Sequence, residues 1–297
     1  MAAEAGGASL SAADWLERTL HRFEAAGLHF GHGSLEARDE AIYLLLHTLG
    51  LPLDDLDGVL DRPLSPVEID ALEALLHQRI DERVPAAYLT HEAWLGDLRF
   101  YVDERAIVPR SYIAELLREE LYPWIAEDAK IDRALDLCTG SGCLAILLAL
   151  TFPETRVDAT DVSADALAVA TRNVADYELK DRVHLMHGDL FAGCEGRYGL
   201  IISNPPYVNR AAMDELPAEY RAEPEMALAG GEDGLDIVRK IIAQSRAHLT
   251  DDGLLVVEIG HNRDALERAF PKLPFTWLET SGGDGLVFLL EASDLPR

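Results

Sequence analysis

From Arg133 onward, short apolar runs of strand character alternate with stretches of helical period, and that alternation restricts the chain to a few folds. Arg133–Leu137, Arg156–Thr160, Arg182–His187, Gly199–Ser203 and Gly253–Gly260 read as strands, and Gly142–Leu150, Ser163–Ala175 and Asp233–Leu249 as helices. Strands joined by crossover helices pair in parallel, so the pattern predicts a mostly parallel, Rossmann-like α/β sheet covered on both faces. The alternation breaks at the end. Phe275–Glu279 and Leu286–Leu290 flank Ser281-Gly-Gly-Asp-Gly285, which predicts a C-terminal antiparallel hairpin at the end of the sheet.

The residues before this region read differently. Ser11–Ala26 and Ser34–Leu49 carry apolar residues near a 3.6-residue period, the second with a serine start and Gly50 as its stop. Ser65-Pro66-Val67-Glu68 is a capping box with proline at the first helical position, and Leu72, Leu75, Leu76 and Ile80 form the buried stripe behind it. Three short helices predict a small bundle without chemistry of its own. Between Ala86 and Val108 the residues turn aromatic and β-branched, with Tyr88, Trp94, Phe100 and Tyr101 around a turn at Gly96-Asp97, as in a hairpin. Pro109 ends it and Ser111 opens a helix to Leu121. The expected organisation is a helical substrate-recognition domain over 1–85, a β-hairpin linker over 86–109 and a catalytic domain over 110–297.

Three candidate ligand-binding elements sit at successive strand ends, where open α/β sheets bind their ligands. The first is Asp136-Leu-Cys138-Thr139-Gly140-Ser141-Gly142, leading from a strand into a helix. Its glycines permit a sharp turn and a close approach, and unpaired amides at the helix start suit an anionic group such as a carboxylate. Gly140-Ser-Gly142-Cys-Leu-Ala145 also satisfies a dinucleotide fingerprint. The second is Asp161, ending the next strand, where a carboxylate accepts from both ribose hydroxyls of an adenosine; the capping of the following helix falls to Ser163. The third is Gly188-Asp189-Leu190, with Asp189 set to take an adenine amino group and Leu190 or Phe191 to cover the ring. Up to this point NAD and S-adenosylmethionine fit equally.

Asn204-Pro205-Pro206-Tyr207 follows the apolar strand Leu200–Ser203. Two prolines fix the backbone and remove two donors. What is left is a rigid pair of acceptors, the Asn204 side-chain oxygen and the Pro205 carbonyl, able to hold both hydrogens of a planar –NH2 group. Tyr207 and Pro206 supply flat apolar surface for the group that carries it. Two acceptors push electron density onto a poorly nucleophilic nitrogen and aim it at an electrophilic methyl, so orientation and proximity supply the rate. Hydride transfer has no use for such an element, which assigns the cofactor as S-adenosylmethionine and the domain to the class I S-adenosylmethionine-dependent methyltransferases.

Charge narrows the partner. With 53 Asp plus Glu against 26 Lys plus Arg, the formal net charge is −27. Such a surface repels phosphate backbones and favours a basic partner, although the same excess also serves solubility. No direct sequence-specific nucleic-acid binding is expected. Cys138, Cys143 and Cys194 show no paired spacing, which gives no support to a disulfide framework or a metal site. The N-terminal MAAEAGGASL lacks the basic-then-apolar layout of a secretory signal, and no apolar run approaches the roughly 18 residues of a membrane span. A cytoplasmic protein without membrane attachment is expected.

Taken in order, the DLCTGSG loop, Asp161, Gly188-Asp-Leu190 and Asn-Pro-Pro-Tyr resemble the protein N(5)-glutamine methyltransferases, over nearly the whole chain. The run from Glu223-Pro224 through Gly230-Gly231 to Gly234-Leu235 is similar to that family's loop after the Asn-Pro-Pro-Tyr motif; the DNA adenine N(6)-methyltransferases share the motif but are not expected to carry that run. The family has two main branches, acting on class I release factors and on ribosomal protein L-three. The release-factor branch shows a glycine where this chain has Cys138. The segment Phe100–Ser111, with Phe30-Gly-His-Gly33, Ala87–Thr90 and Pro274–Trp277, resembles the L-three branch. The resemblance implies methylation of a glutamine side chain in a basic ribosomal protein. His32 in the Phe30–Gly33 run is a candidate functional residue, although a loop histidine near a helix start is more often structural.

Overall fold

The computed structural model describes residues 10–126 and 130–296. The decapeptide read above as no secretory signal therefore lies outside the described residues, apart from Leu10. By its internal contacts the chain divides into two compact units, Met1–Glu92 with Pro217–Ala222, and Ala93–Leu216 with Glu223–Arg297. The boundary falls seven residues beyond the expected end of the helical domain at position 85. A short segment after the Asn-Pro-Pro-Tyr motif belongs to the N-terminal unit, which no local signal announced.

In that unit, α1 (Ala12–Ala26) starts on a Ser11/Asp14 capping box and stops at Gly27, whose φ of 58° ends the helix. Helix α2 (Ala37–Leu49) begins after Glu36 rather than at Ser34: no side chain caps it, and Asp39 and Glu40 in its first turn complement the helix dipole instead. Helix α3 (Pro66–Ile80) has the expected Ser65/Glu68 box. Trp15, Leu16, Phe23, Leu44, Leu45, Leu72 and Leu76 form the core. The fully buried Arg79 donates to Glu40 at 2.6 Å, to Glu219 at 3.3 Å and to the His29 carbonyl at 2.9 Å, and lies over the Phe30 ring. Buried His32 packs on Tyr220 with ring centroids 4.4 Å apart, so Phe30-Gly-His-Gly33 seats the 217–222 segment.

The expected hairpin begins late. Ala86–Thr90 is a helix, α4, started by Pro85 and burying Tyr88, and only Glu92–Leu95 (β1) and Leu98–Tyr101 (β2) pair, around Gly96. Helix α5 (Ile113–Arg118) stops short of Leu121, because Glu120 and Leu121 take left-handed φ values of 54°.

The second unit contains a seven-stranded sheet ordered β5-β4-β3-β6-β7-β9-β8. Its strands are β3 (Arg133–Leu137), β4 (Arg156–Asp161), β5 (Val183–His187), β6 (Tyr198–Ser203), β7 (Leu249–Glu258), β8 (Thr276–Thr280) and β9 (Gly283–Glu291). Its helices are α6 (Cys143–Thr151), α7 (Ala164–Asp176), α8 (Arg210–Glu215), α9 (Asp236–His248) and α10 (Arg263–Ala269), of which α8 and α10 went unread in the sequence. Strands β5 to β7 are parallel, and β9 is antiparallel to both β7 and β8. The terminal hairpin is folded in: β9 lies between β7 and β8. Gly285 to Leu290 are buried on both faces, whereas β8 keeps exposed and half-buried positions that suit an edge.

Register fixes the site. Leu137 pairs with Thr160 on one side and with Ser203 on the other, and Ser203 pairs with Val257. Cys138, Asp161, Asn204 and Glu258 therefore stand one residue past these paired positions, at or just beyond the ends of four adjacent strands roughly 4.8 Å apart. Strand order reverses between β3 and β6, the switch point at which such sheets open a crevice.

Candidate active site

The loop after β3 closes on its neighbours. Thr139 donates its amide to the Thr160 carbonyl at 3.0 Å, Gly142 donates to the Thr139 carbonyl at 2.9 Å, and Gly140 donates to Asp161 Oδ2 at 2.8 Å. These three amides are thus taken up by the fold, ahead of the helix start at Cys143. Gly142 has φ of 81°, and a Cβ there would meet the Ala170 Cβ at 3.1 Å, so this glycine is required by packing as well as by backbone. Cys138 holds φ of 60°, a region that costs a side chain about 1–2 kcal/mol, which accounts for glycine being an alternative at this position. Burial raises its thiol, so it is no nucleophile.

Asp161, expected to accept from a ribose diol, also closes the loop. Its Oδ2 takes the Gly140 amide and its Oδ1 the Ser163 amide, both at 2.8 Å, while Ser163 caps α7 through Ala166 as expected. Each carboxylate oxygen keeps a second lone pair, so loop closure and diol recognition are compatible. Burial raises the Asp161 carboxyl, against the backbone amides of Ser163, Gly140 and Val162 that lower it.

Two buried polar atoms in this loop have no protein hydrogen bond. Asp136 is 1% exposed; its Oδ2 accepts from the Thr139 hydroxyl at 2.6 Å, while Oδ1 has no hydrogen bond. Burial pushes its carboxyl up to about 7. Ser141 Oγ is also buried and unpaired. Orphaned polar atoms this deep mark a place for a polar ligand. At the β5 end, Asp189 is exposed and lies 3.7 Å from Lys240 Nζ. Leu190 and Phe191 are buried in the core, and Phe191 stacks on His248 with centroids 4.5 Å apart, so its ring is engaged in packing rather than in covering a base.

The Asn-Pro-Pro-Tyr loop is held at each end. Asn204 Nδ2 donates to the Arg110 carbonyl at 3.1 Å, which turns Oδ1 away from that carbonyl. Pro205 is buried and Pro206 half-buried. The Tyr207 hydroxyl donates to Glu258 Oε1 at 3.3 Å, and its carbonyl accepts from Asn262 Nδ2 at 2.7 Å. Burial, then the Glu258 charge, raises the Tyr207 phenol, leaving it a neutral donor. The Val208 amide donates to the Leu228 carbonyl, and the Val208 carbonyl accepts from the Gly230 amide, at 2.8 Å each.

Comparison with known proteins follows the same division. A family model described as Methyltransferase small domain matches residues 116–219, and one described as PrmC N-terminal domain matches 14–90. A ribosomal protein uL3 glutamine methyltransferase of Burkholderia pseudomallei is 58% identical over 95% of each chain. One of Neisseria gonorrhoeae is 56% identical over 95% of this chain and 94% of its own. The chain belongs to that family. It is a methyltransferase, and S-adenosylmethionine is its cofactor. Among solved structures, the hMettl16 catalytic domain in complex with the MAT2A 3′UTR hairpin 1 matches 82% of this chain and 86% of its own, at 16% identity and a TM-score of 0.52, a likeness of fold alone.

In this methyltransferase, sequence reading brought together the three strand-end elements and the Asn-Pro-Pro-Tyr motif but missed what holds the motif. Glu258 is 2% exposed and accepts from the Ser111 hydroxyl at 2.6 Å and the Tyr112 amide at 2.9 Å besides Tyr207. Its signal was present: a lone acid ending the apolar run Leu254–Val257. The loop glycines also gain a reason. A Cβ on Gly230 would lie 2.8 Å from the Tyr207 Cα, one on Gly260 2.7 Å from its ring, and one on Gly234 would collide with its carbonyl oxygen.

Proposed function

We propose that the enzyme transfers a methyl group from S-adenosylmethionine to the side-chain amide nitrogen of a glutamine in ribosomal protein uL3, the large-subunit protein L-three, in the cytoplasm. The observation that carries the reading is the anchoring of Asn204 through its nitrogen. A carbonyl can only accept, so the atom facing Arg110 is Nδ2, and Oδ1 is presented as an acceptor beside the Pro205 carbonyl. Together they take the two amide hydrogens of the glutamine, with Pro206 and Tyr207 against its apolar stem.

The orphaned Asp136 Oδ1 and Ser141 Oγ fit the ammonium and carboxylate ends of a methionyl group; Cys138, Thr139, Gly140 and Gly142 shape the loop around it. Asp161 takes the ribose hydroxyls, and Asp189 with Leu190 faces the adenine. The cofactor supplies an electrophilic methyl group; the chain supplies alignment of the nitrogen and exclusion of water. No side-chain base is needed before transfer, since the nitrogen becomes acidic once methylated and its proton then leaves.

Incubating the enzyme with purified uL3, with a class I release factor and with DNA, each alongside S-adenosylmethionine, tests the reading. Mass spectrometry is expected to place one methyl on a uL3 glutamine. A product confined to the release factor, or a methyl on adenine, would replace this assignment. Asn204→Ala is expected to fold and bind cofactor while losing about a hundred-fold or more in turnover, the scale on which single aligned polar groups act. Turnover within a few-fold of the parent would remove Asn204 from the chemistry.

A further inference from the structure

Glu223 opens the run that marks this family's loop, and nothing in the chemistry above uses it. It is 4% exposed. Its Oε1 accepts from the Val108 amide at 3.0 Å and from Arg110 Nη1 at 2.6 Å, and its Oε2 accepts from Arg110 Nη2 at 2.6 Å. Arg110 Nη1 also donates to the Val108 carbonyl at 3.3 Å. One carboxylate thus grips both ends of the tripeptide Val108-Pro109-Arg110. Pro109 fixes the φ between them, and a bidentate guanidinium–carboxylate pair fixes direction as well as distance. The group so immobilised includes the Arg110 carbonyl, which receives Asn204 Nδ2 at 3.1 Å.

This matters because an asparagine amide has two nearly isosteric orientations. With Oδ1 toward the substrate, Asn204 accepts a hydrogen from an –NH2 group. Rotated by half a turn, it presents its own hydrogens to those of the substrate, and the pair repels. An acceptor fixed on the opposite side selects the first orientation. The strand end behind Asn204 does not impose that choice, because both orientations leave the backbone of β6 unchanged.

We propose that Glu223 is a positioning residue for methyl transfer: through Arg110 it holds the carbonyl that keeps the Asn204 oxygen turned toward the glutamine nitrogen. The proposal rests on the reading of Asn204 as the substrate's acceptor. It gives the Glu-Pro that opens the loop a role, which is to set the polarity of the catalytic amide rather than to touch substrate.

The test uses the full-length enzyme with uL3. Glu223→Gln keeps the shape and an acceptor for Val108, yet points an amide nitrogen at the guanidinium. Arg110→Lys keeps the charge but loses the bidentate geometry. Each is expected to lower kcat at least ten-fold while KM for uL3 and affinity for S-adenosylhomocysteine stay within two-fold. The double variant should be little worse than either single one, as for groups acting in series. With asparagine-selective 15N labelling, the Asn204 side-chain resonances, assigned by their loss in Asn204→Ala, should shift in both variants. A purely structural ion pair would lower thermal stability and leave the kcat of the folded enzyme and these resonances in place; that result would overturn the proposal. So would a fall in kcat matched by an equal fall in cofactor affinity with unmoved resonances. If Asn204→Ala itself keeps turnover, the underlying reading fails, while the resonances still report whether Glu223 orients the amide.

Discussion

Asp136 holds one carboxyl oxygen on Thr139 and the other on nothing, at 1% exposure, in a chain already carrying a net charge of −27. The energetic consequence has a definite sign. Its folded-state value, about 7, lies above the ordinary 3.8, so the folded form prefers the protonated acid. The contribution to stability is full below about pH 4 and is lost as pH rises through 7, where a buried charge must be carried. In the cofactor-free enzyme, Asp136→Asn should therefore raise the unfolding midpoint at pH 8, and the gain should shrink as pH falls from 7 toward 4. The same substitution should weaken cofactor binding about ten-fold or more, through loss of a charged acceptor for the methionyl ammonium. Urea titrations at pH 8 and pH 5, with calorimetry using S-adenosylhomocysteine, read both effects. A pH-independent gain would place the strain elsewhere. The proposed binding role of this residue thus carries a cost in stability.

At the scale of elements, the loop after β6 is a packed object built around Tyr207. Gly230, Gly234 and Gly260 approach the tyrosine where no Cβ fits, and Asn262 and Glu258 hold its two polar ends. Gly234→Ala adds two insults, a left-handed φ of 78° and a collision with the Tyr207 carbonyl. Gly193 has φ of 85° and open space within 4 Å of where a Cβ would stand, so Gly193→Ala carries the backbone cost alone, about 1–2 kcal/mol. Gly234→Ala is expected to lose ten-fold or more in turnover with nearly unchanged cofactor affinity, and Gly193→Ala to lose little turnover. Equal turnover in the two would show that the Tyr207 contact does not matter. Much of this element was legible beforehand. Asn-Pro-Pro-Tyr and the glycine run are both local patterns, but that the second wraps the first follows only from the pairing of Val208 with the Leu228–Gly230 strip.

At the scale of the whole molecule, the proposed substrate uL3 carries an electrostatic prediction. An enzyme at −27 and a basic ribosomal protein attract over distances comparable to the Debye length, about 10 Å at 0.1 M salt and about 3 Å at 1 M. The association rate with uL3 is expected to fall steeply as salt rises, while affinity for S-adenosylhomocysteine, held by short contacts, changes little. Stopped-flow association across that salt range decides it, and a flat rate would reduce the acidic surface to a solubility device. Among the described residues no helix is long and apolar enough to cross a membrane.

The sequence by itself determined the strand–helix order, the capping of α3, and the placement of the glycine loop, Asp161 and Asn204 at strand ends. Those features are written in hydrophobic period, glycine and proline, signals carried between near neighbours. Tertiary structure decided the rest, because the deciding partners lie far along the chain. Asp161 is occupied by the amide of Gly140, 21 residues earlier, and Asn204 is oriented by a carbonyl 94 residues earlier. Glu219 finds Arg79 at a separation of 140. Strand β9 reads the same whether it ends a sheet or enters one; only the buried surface on both its faces put it between β7 and β8.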